Sequence, residues 1–247
     1  MIMPTYNEEN HIASSLNKVQ SALDALGFDY QVIVVDDGSR GGTRREAIRA
    51  ARNPRVKVVG YEHNVGKGYA LKHGFACTVG DIVVFLGSDI SPRQIGAYVA
   101  ATEHGDIVIA SKWHPKSHTE MPIIRKFLSL GFHVVVTILT GLRVSDTQSD
   151  MKAFRREGLE KVLPRLATKR FAFDVELLTI ASLKGFGIIE YLVDIKISGH
   201  TKLEPLVKML SSMFLEILWI TYRLRFLKQY NNKEAPGFNG VCTEWNH

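Results

Sequence analysis

An α/β fold, with a mostly parallel sheet covered by helices on both faces, is the fold class this sequence predicts. Three observations predict it. Short apolar runs alternate with segments of helical spacing along the first two-thirds of the chain. The runs are too continuous for burial on one face alone. Polar turns rich in Asp, Gly, Ser and Asn follow them.

The elements follow in order. "MIMPTY" is a short strand, and Asn7 to Leu26 has apolar residues at helical spacing, with Asn7 as the capping candidate. "YQVIVVDD" is a buried strand ending on two acids, and "TRREAIRAARN" is an amphipathic helix. "VKVVGY", "DIVVFLGSD" and "DIVIASK" read as strands, separated by the helices "GKGYALKHGFACTV" and "IGAYVAATEHG". Past residue 115 the pattern loosens. "HTEMPIIRKFLSLGF" is helical in its second half, and "VSDTQSDMKAFRR" is a polar loop leading into a strand. "RFAFDVELLTIASLKG" is a helix and "GIIEYLVDIKISG" is strand-like. Leu206 to Gln229 is an amphipathic helix, and a loose tail follows. The expected division is a catalytic domain over 1–205, an amphipathic segment over 206–230 and a tail over 231–247.

Composition is that of an ordinary globular chain: 247 residues, 45% hydrophobic and 23% charged. Cys77 and Cys242 are too few for a disulfide framework and point to a reducing, cytosolic-side location. "MIMPTYNEEN" has no signal-peptide pattern. The net charge of +6 suits an anionic partner. The basic residues are spread out and lack a stacking-aromatic motif, which weighs against nucleic acid. Two apolar runs bear on membranes. Phe127 to Leu142 spans 16 residues and contains His133, and Met209 to Tyr222 is interrupted by Glu216. A crossing needs about 20 apolar residues, so each run is expected at an interface or in the core.

Parallel sheets of this kind bind ligands at the carboxyl ends of their strands. "PTYNEE", "DDGSRGG", "SDIS" and "SKWH" all fall there. Tyr6 and Glu8 could stack on and hydrogen-bond a base or ribose, or simply form a capped turn. Asp36 and Asp37 could accept from a nucleobase or from ribose hydroxyls, or cap a turn. The glycine fingerprint of dinucleotide-dependent dehydrogenases is missing. His114 and His118 lack metalloprotease spacing and are expected in solvent. Asp174 and Glu176 form either an acid pair near an acceptor or a helix-start pair favoured by the macrodipole.

Five motifs in order, "MPTYNEEN", "VIVVDDGSRGGT", "NVGKGYALKHG", "VSDTQSDMKAFRR" and "RFAFDVELLTIA", resemble family-2 glycosyltransferases. The branch they look most like makes dolichyl-phosphate glucose or dolichyl-phosphate mannose, and the resemblance covers residues 1–205. It implies a GT-A fold, a nucleotide-sugar donor (UDP-glucose or GDP-mannose) and inverting transfer to a polyprenyl phosphate. It places Pro4, Tyr6 and Glu8 in the nucleoside pocket. Val35, Asp36 and Asp37 fall at the base, with Lys67 and Gly68 nearby. The family's Asp-x-Asp falls on Gly87, Ser88 and Asp89, and a third metal contact falls on Ser91. Asp89 is then the remaining metal ligand, so Mg²⁺ or Mn²⁺ is expected to bind weakly or only with the donor.

The resemblance also assigns cations. Lys112 stands where the family has the Arg of "GSRY", and Arg125 matches an acceptor-loop arginine. Lys202 in "HTKL" matches the lysine of the family's "SK" pair. "DTQSDMK" resembles "DTQCGFK", which puts Asp146 and Gln148 beside the acceptor phosphate and replaces Gly by Asp150 and Phe by Met151. A phosphate monoester has a second pKa of about 6, so the nucleophile needs little help from a base. The harder task is bringing two anions together, which Arg125, Lys112 and Lys202 would do.

Leu206, Leu210, Met213, Phe214, Ile217 and Ile220 form an apolar helix face that ends on Arg223, Arg225 and Lys228. That suits an anionic membrane surface or a packed helix. The expected partners are a nucleotide sugar, a polyprenyl phosphate and a membrane surface approached from the cytoplasmic side. A second copy of the chain stays open as a partner. Two other functions stay open. One is transfer to a glycan hydroxyl, with Asp146, Asp150 or Asp174 as base; the other is a nucleotide-sugar-binding relative that has lost turnover.

Overall fold

The computed structural model describes residues 1–51, 53–87, 91–196, 203–231 and 242, with 120, 195, 196, 203–210 and 231 described by backbone alone. Its centre is a seven-stranded sheet in the order β3-β2-β1-β4-β7-β5-β8. These strands are β1 (Ile2–Thr5), β2 (Val32–Asp37), β3 (Val56–Tyr61), β4 (Ile82–Leu86), β5 (Ile107–Ala110), β7 (Met151–Arg155) and β8 (Ile188–Tyr191). The pairs β1–β2, β2–β3, β1–β4 and β5–β8 are parallel. β7 is inserted antiparallel between β4 and β5. A parallel two-stranded ribbon joins β6 (His118–Glu120) to β9 (Asp194–Lys196).

Among the described residues the α-helices are α1 (Ile12–Ala25), α2 (Thr43–Ala50), α3 (Lys67–Ala76), α4 (Ile95–Ala101), α5 (Ile123–Thr140), α6 (Arg156–Val162), α7 (Phe173–Leu183) and α8 (Leu203–Arg225). β2 shows why its apolar run is unbroken. Ile33 and Val35 belong to one core with α3, α7 and α8, whereas Val32 and Val34 belong to another with α1. Successive strand residues point to opposite faces, so a sheet buried on both needs an apolar residue at every position. The expected covered, mostly parallel sheet is what the chain forms.

Four expectations are corrected. Asn7 does not cap α1, whose cap is His11. Asn7 adopts a positive φ of 56° and bonds to the next turn, donating its N–H to Ser39 Oγ and accepting from the Arg40 N–H. Cys77 and Cys242 are joined in a disulfide across 165 residues of sequence. Two free thiols are the expectation; folding instead brings Cys77, at the end of α3, and Cys242 together. Met213, Ile217 and Ile220 face the protein rather than a membrane, and Ile217 and Ile220 sit in the core with α3 and α7. Arg223 is buried as well, which removes it from any lipid-facing basic cluster.

α5 begins four residues earlier than the apolar run suggests. It is long and apolar enough, by length and composition, to cross a membrane. It lies paired with α8.

Candidate active site

A cleft of about 370 Å³ opens at the carboxyl edge of the parallel strands. β1 delivers Pro4, Thr5 and Tyr6 to it, β2 delivers Asp37, and the residue after β4 is Gly87. Antiparallel β7 begins at this edge, so Asp150 just before it joins the same wall. Asn64, Gly66 and Lys67 come from the turn between β3 and α3, and Arg170 and Phe171 from the turn before α7.

Asp37 organises one wall. Its carboxylate is buried and accepts from Tyr61 Oη at 2.7 Å, Asn64 Nδ2 at 2.8 Å, Val65 N at 2.9 Å and Gly66 N at 3.0 Å. Those bonds hold the 64–66 turn against β2. Burial and the Asp37 anion push the Tyr61 phenol well above its ordinary range, so it stays a donor. Gly66 is at φ +121°, and a Cβ there would stand 2.6 Å from the Lys169 carbonyl. That close approach lets the 169–171 turn close over the cleft.

Lys67 and Asp150 line its floor, and Asp174 and Lys152 lie buried beneath them. Lys67 Nζ donates to Asp150 Oδ1 at 2.5 Å and to Asp174 Oδ2 at 2.9 Å. The other oxygen of Asp174 meets Lys152 Nζ at 2.9 Å, and Lys152 also donates to the Ser149 carbonyl. Asp174 and Lys152 are buried, whereas the Asp150 side chain is 43% exposed. Withdrawal from water pulls the Asp150 pKa upward, but the Lys67, Lys152 and Lys112 ammoniums outweigh it and hold it below the usual range. Burial works against the Lys67 ammonium, yet Asp150 and Asp174 raise its pKa. Lys67 is thus a fixed cation and Asp150 a fixed anion at neutral pH.

The 167–172 turn is fastened from behind. Glu176 is buried and accepts from Ala167 N, Thr168 N and Tyr230 Oη, and pairs with Arg223 at 3.0 Å. Glu216 on α8 accepts from Ala172 N at 3.1 Å. Asp174 and Glu176 are therefore internal partners of cations, one at the cleft floor and one behind it.

Of the residues singled out in the sequence, Pro4, Tyr6, Asp37 and Lys67 lie together at the cleft. Others do not reach its wall. Val35 is buried in the core, and Asp36 accepts from Ser39. Gly68 packs on the Phe173 ring, and Glu8 starts α1 with its carbonyl. Lys112 and Asp146 form a pair at 2.9 Å, with Asp146 also accepting from the Lys112 and Gln148 N–H groups. That pair ties the end of β5 to the 145–149 loop. Arg125 lies in the first turn of α5, half-buried, with no hydrogen-bond partner for its Nε among the described residues. Ser88, Asp89 and Lys202 lie outside the described residues. Sequence reasoning passed over Asn64, Arg170 and Phe171. The "VGKG" glycines signal a tight turn, but no local signal says that the turn before α7 docks on it.

The fold is of the GT-A type, and a profile described as glycosyl transferase family 2 matches residues 1–163. The chain belongs to that family. It is 30% identical over 246 residues to a human protein named dolichyl-phosphate beta-glucosyltransferase, with 92% of this chain and 75% of that one covered. A protein of the same name from Dictyostelium discoideum is 29% identical over 223 residues, with 83% and 68% covered. Among solved structures, glucosyl-3-phosphoglycerate synthase from Mycobacterium tuberculosis with Mn²⁺, uridine diphosphate and glucosyl-3-phosphoglycerate superposes with a TM-score of 0.68. At 24% identity, over 89% of this chain and 78% of that one, this likeness speaks for the fold.

The cleft can be tested for a divalent ion. Among the described residues no group of three His, Cys, Asp or Glu gathers. Asp37 has both oxygens taken by protein donors. Asp150 has one oxygen on Lys67, and its Oδ2 accepts no hydrogen bond from the described residues. That oxygen fits Mg²⁺ or Mn²⁺ carried by donor phosphates, since such ions accept one or two carboxylates plus phosphates and water.

Proposed function

We propose that this glycosyltransferase moves glucose from a nucleotide sugar to a polyprenyl phosphate of the dolichyl type, at a membrane surface. The observation that carries the reading is the likeness, over most of both chains, to proteins named dolichyl-phosphate beta-glucosyltransferase. The donor is UDP-glucose; the alternative is GDP-mannose, with mannose as the sugar transferred. Tyr6 offers the nucleoside a ring, Asp37 shapes the pocket through the 64–66 turn, and Arg170 offers a cation to the diphosphate. A bound divalent ion would add Lewis-acid charge there.

Support for the acceptor comes from α5. Ile123, Ile124, Phe127, Leu130, Val134 and Ile138 are exposed along it. Beside it α8 exposes Leu215, Leu218 and Trp219, and Trp219, Tyr222 and Phe226 stack in a row with centroids 5.3 and 5.6 Å apart. Exposed apolar surface this continuous is rare on a protein that meets only water. A bilayer is the occupant the reading needs, because a polyprenyl chain is anchored in one. Arg125, at the start of α5 with an Nε–H that has no partner among the described residues, would meet the lipid phosphate.

Transfer to a glycan hydroxyl would need a carboxylate base. Asp146, Asp150 and Asp174 are each paired with a lysine, which disfavours that role. The deciding experiment incubates the protein with labelled UDP-glucose or GDP-mannose and vesicles containing dolichyl phosphate. A labelled lipid-phosphate hexose is expected, from UDP-glucose in preference. Product only on a soluble glycan, or none with either donor, would overturn the reading.

A further inference from the structure

Asp150 stands in an unusual place. In the β4–β7 ladder Leu86 is opposite Met151, so the next pair outward is Gly87 and Asp150. The Gly87 N–H donates to the Asp150 carbonyl at 2.9 Å, which fixes that pairing. Gly87 has no side chain, and the carboxylate at this step of the sheet edge comes from the neighbouring strand. Lys67 grips Oδ1, and Oδ2 accepts nothing from the described residues.

The charge balance of the cleft gives that oxygen a task. Lys67 at the floor and Lys152 beneath it face two carboxylates, Asp150 and Asp174, so the floor carries no excess of cations. Beyond it the wall offers Arg170 as a cation, while Asp37 is an anion already filled by neutral donors. A nucleoside diphosphate sugar brings about two negative charges into a cleft whose described residues carry no surplus of positive charge. Removing Asp150 would leave the floor cationic and better able to hold the donor alone. Keeping it makes sense where the donor arrives with its own counter-ion and the protein supplies one carboxylate oxygen to it.

We propose that Asp150 is a protein ligand of the divalent cation that enters with the donor diphosphate. It supplies from β7 the carboxylate that Gly87 on β4 cannot. Lys67 keeps that carboxylate ionised and leaves Oδ2 as its free oxygen. The inference rests on the nucleotide-sugar reading above and assigns the metal's place within it.

The test titrates Mn²⁺ into the full chain with and without saturating UDP-glucose, read by the electron paramagnetic resonance of free Mn²⁺. Donor binding is measured separately by calorimetry in EDTA. For the wild type, Mn²⁺ uptake is expected only with the nucleotide. D150N should weaken that uptake by about tenfold or more and leave the circular dichroism spectrum unchanged. The double variant G87D/D150G, which moves the carboxylate across the strand pair, should recover most of the affinity. Mn²⁺ uptake by D150N equal to wild type would overturn the proposal. So would tighter metal-free donor binding by D150N with its Mn²⁺ affinity retained, which would make Asp150 only a counter-charge for Lys67. If the wild type binds neither UDP-glucose nor GDP-mannose under any condition, the donor reading itself fails, a separate outcome.

Discussion

Asp37 and Lys67 show how one residue type can be read correctly for place and incompletely for task. Asp37 ends β2 and Lys67 opens α3, both on the ligand edge, as their positions after "VIVV" and "NVG" imply. Asp37, though, spends its lone pairs on the protein's own turn. Asp37→Ala would leave the Val65 and Gly66 N–H groups without an acceptor in a buried turn. Unfolding in urea should show a loss of roughly 2–4 kcal/mol, together with lost UDP-glucose binding. Unchanged stability would mean that the turn finds other acceptors. Lys112 teaches the converse lesson. Sequence reasoning gave it a free ammonium for phosphate, and the fold gives it Asp146 as a close partner.

At the scale of elements, α5 and α8 divide the labour of one helical pair. α8 turns Met213, Ile217, Ile220 and Arg223 inward, and α5 turns most of its apolar residues outward. At 18 residues α5 is about 27 Å long, close to the thickness of a bilayer's hydrocarbon core. Lys126 is exposed at its first turn, and Arg225 of α8 donates to the Ile138 carbonyl near its far end. Burying a side chain such as Phe127 or Ile138 is worth about 1.5–3 kcal/mol. The double variant Phe127→Glu, Ile138→Glu should therefore lower partition onto vesicles containing anionic lipid by roughly a hundredfold or more. Because both side chains are exposed, the thermal midpoint in solution should change little. Co-sedimentation with vesicles measures the first and a melting curve the second; undiminished sedimentation would rule out this face as the contact.

The whole molecule is joined through the back of the cleft. Glu176, Arg223 and Tyr230 link α7, α8 and the 229–231 turn, and Glu216 reaches the turn that carries Arg170 and Phe171. α8 also completes the core under α3 and α7. We therefore expect one cooperative unfolding transition, with the fluorescence of Trp219 on α8 changing together with the circular dichroism of the sheet and helices. Ile217→Ala should lower stability by about 2–4 kcal/mol and shift both probes equally. Separate midpoints would show that the segment from residue 206 behaves as an appendage.

The sequence by itself determined the layered α/β fold, the ligand edge and the places of Tyr6, Asp37 and Lys67. Strand alternation, continuous apolar runs and strand-end turns are local signals, and each is set by a few adjacent residues. Tertiary structure decided the rest. Antiparallel insertion of β7 put Asp150 opposite Gly87, although 63 positions separate them in the chain. Docking of the 169–171 turn on Gly66 made Arg170 and Phe171 part of the cleft. The inward turn of α8 removed Arg223 from the surface and left α5 to present the apolar face. Periodicity says that a face is apolar but not what covers it, and a charge in the sequence carries no record of its partner. Both depend on which distant segments meet, a choice made by burial summed over the whole chain.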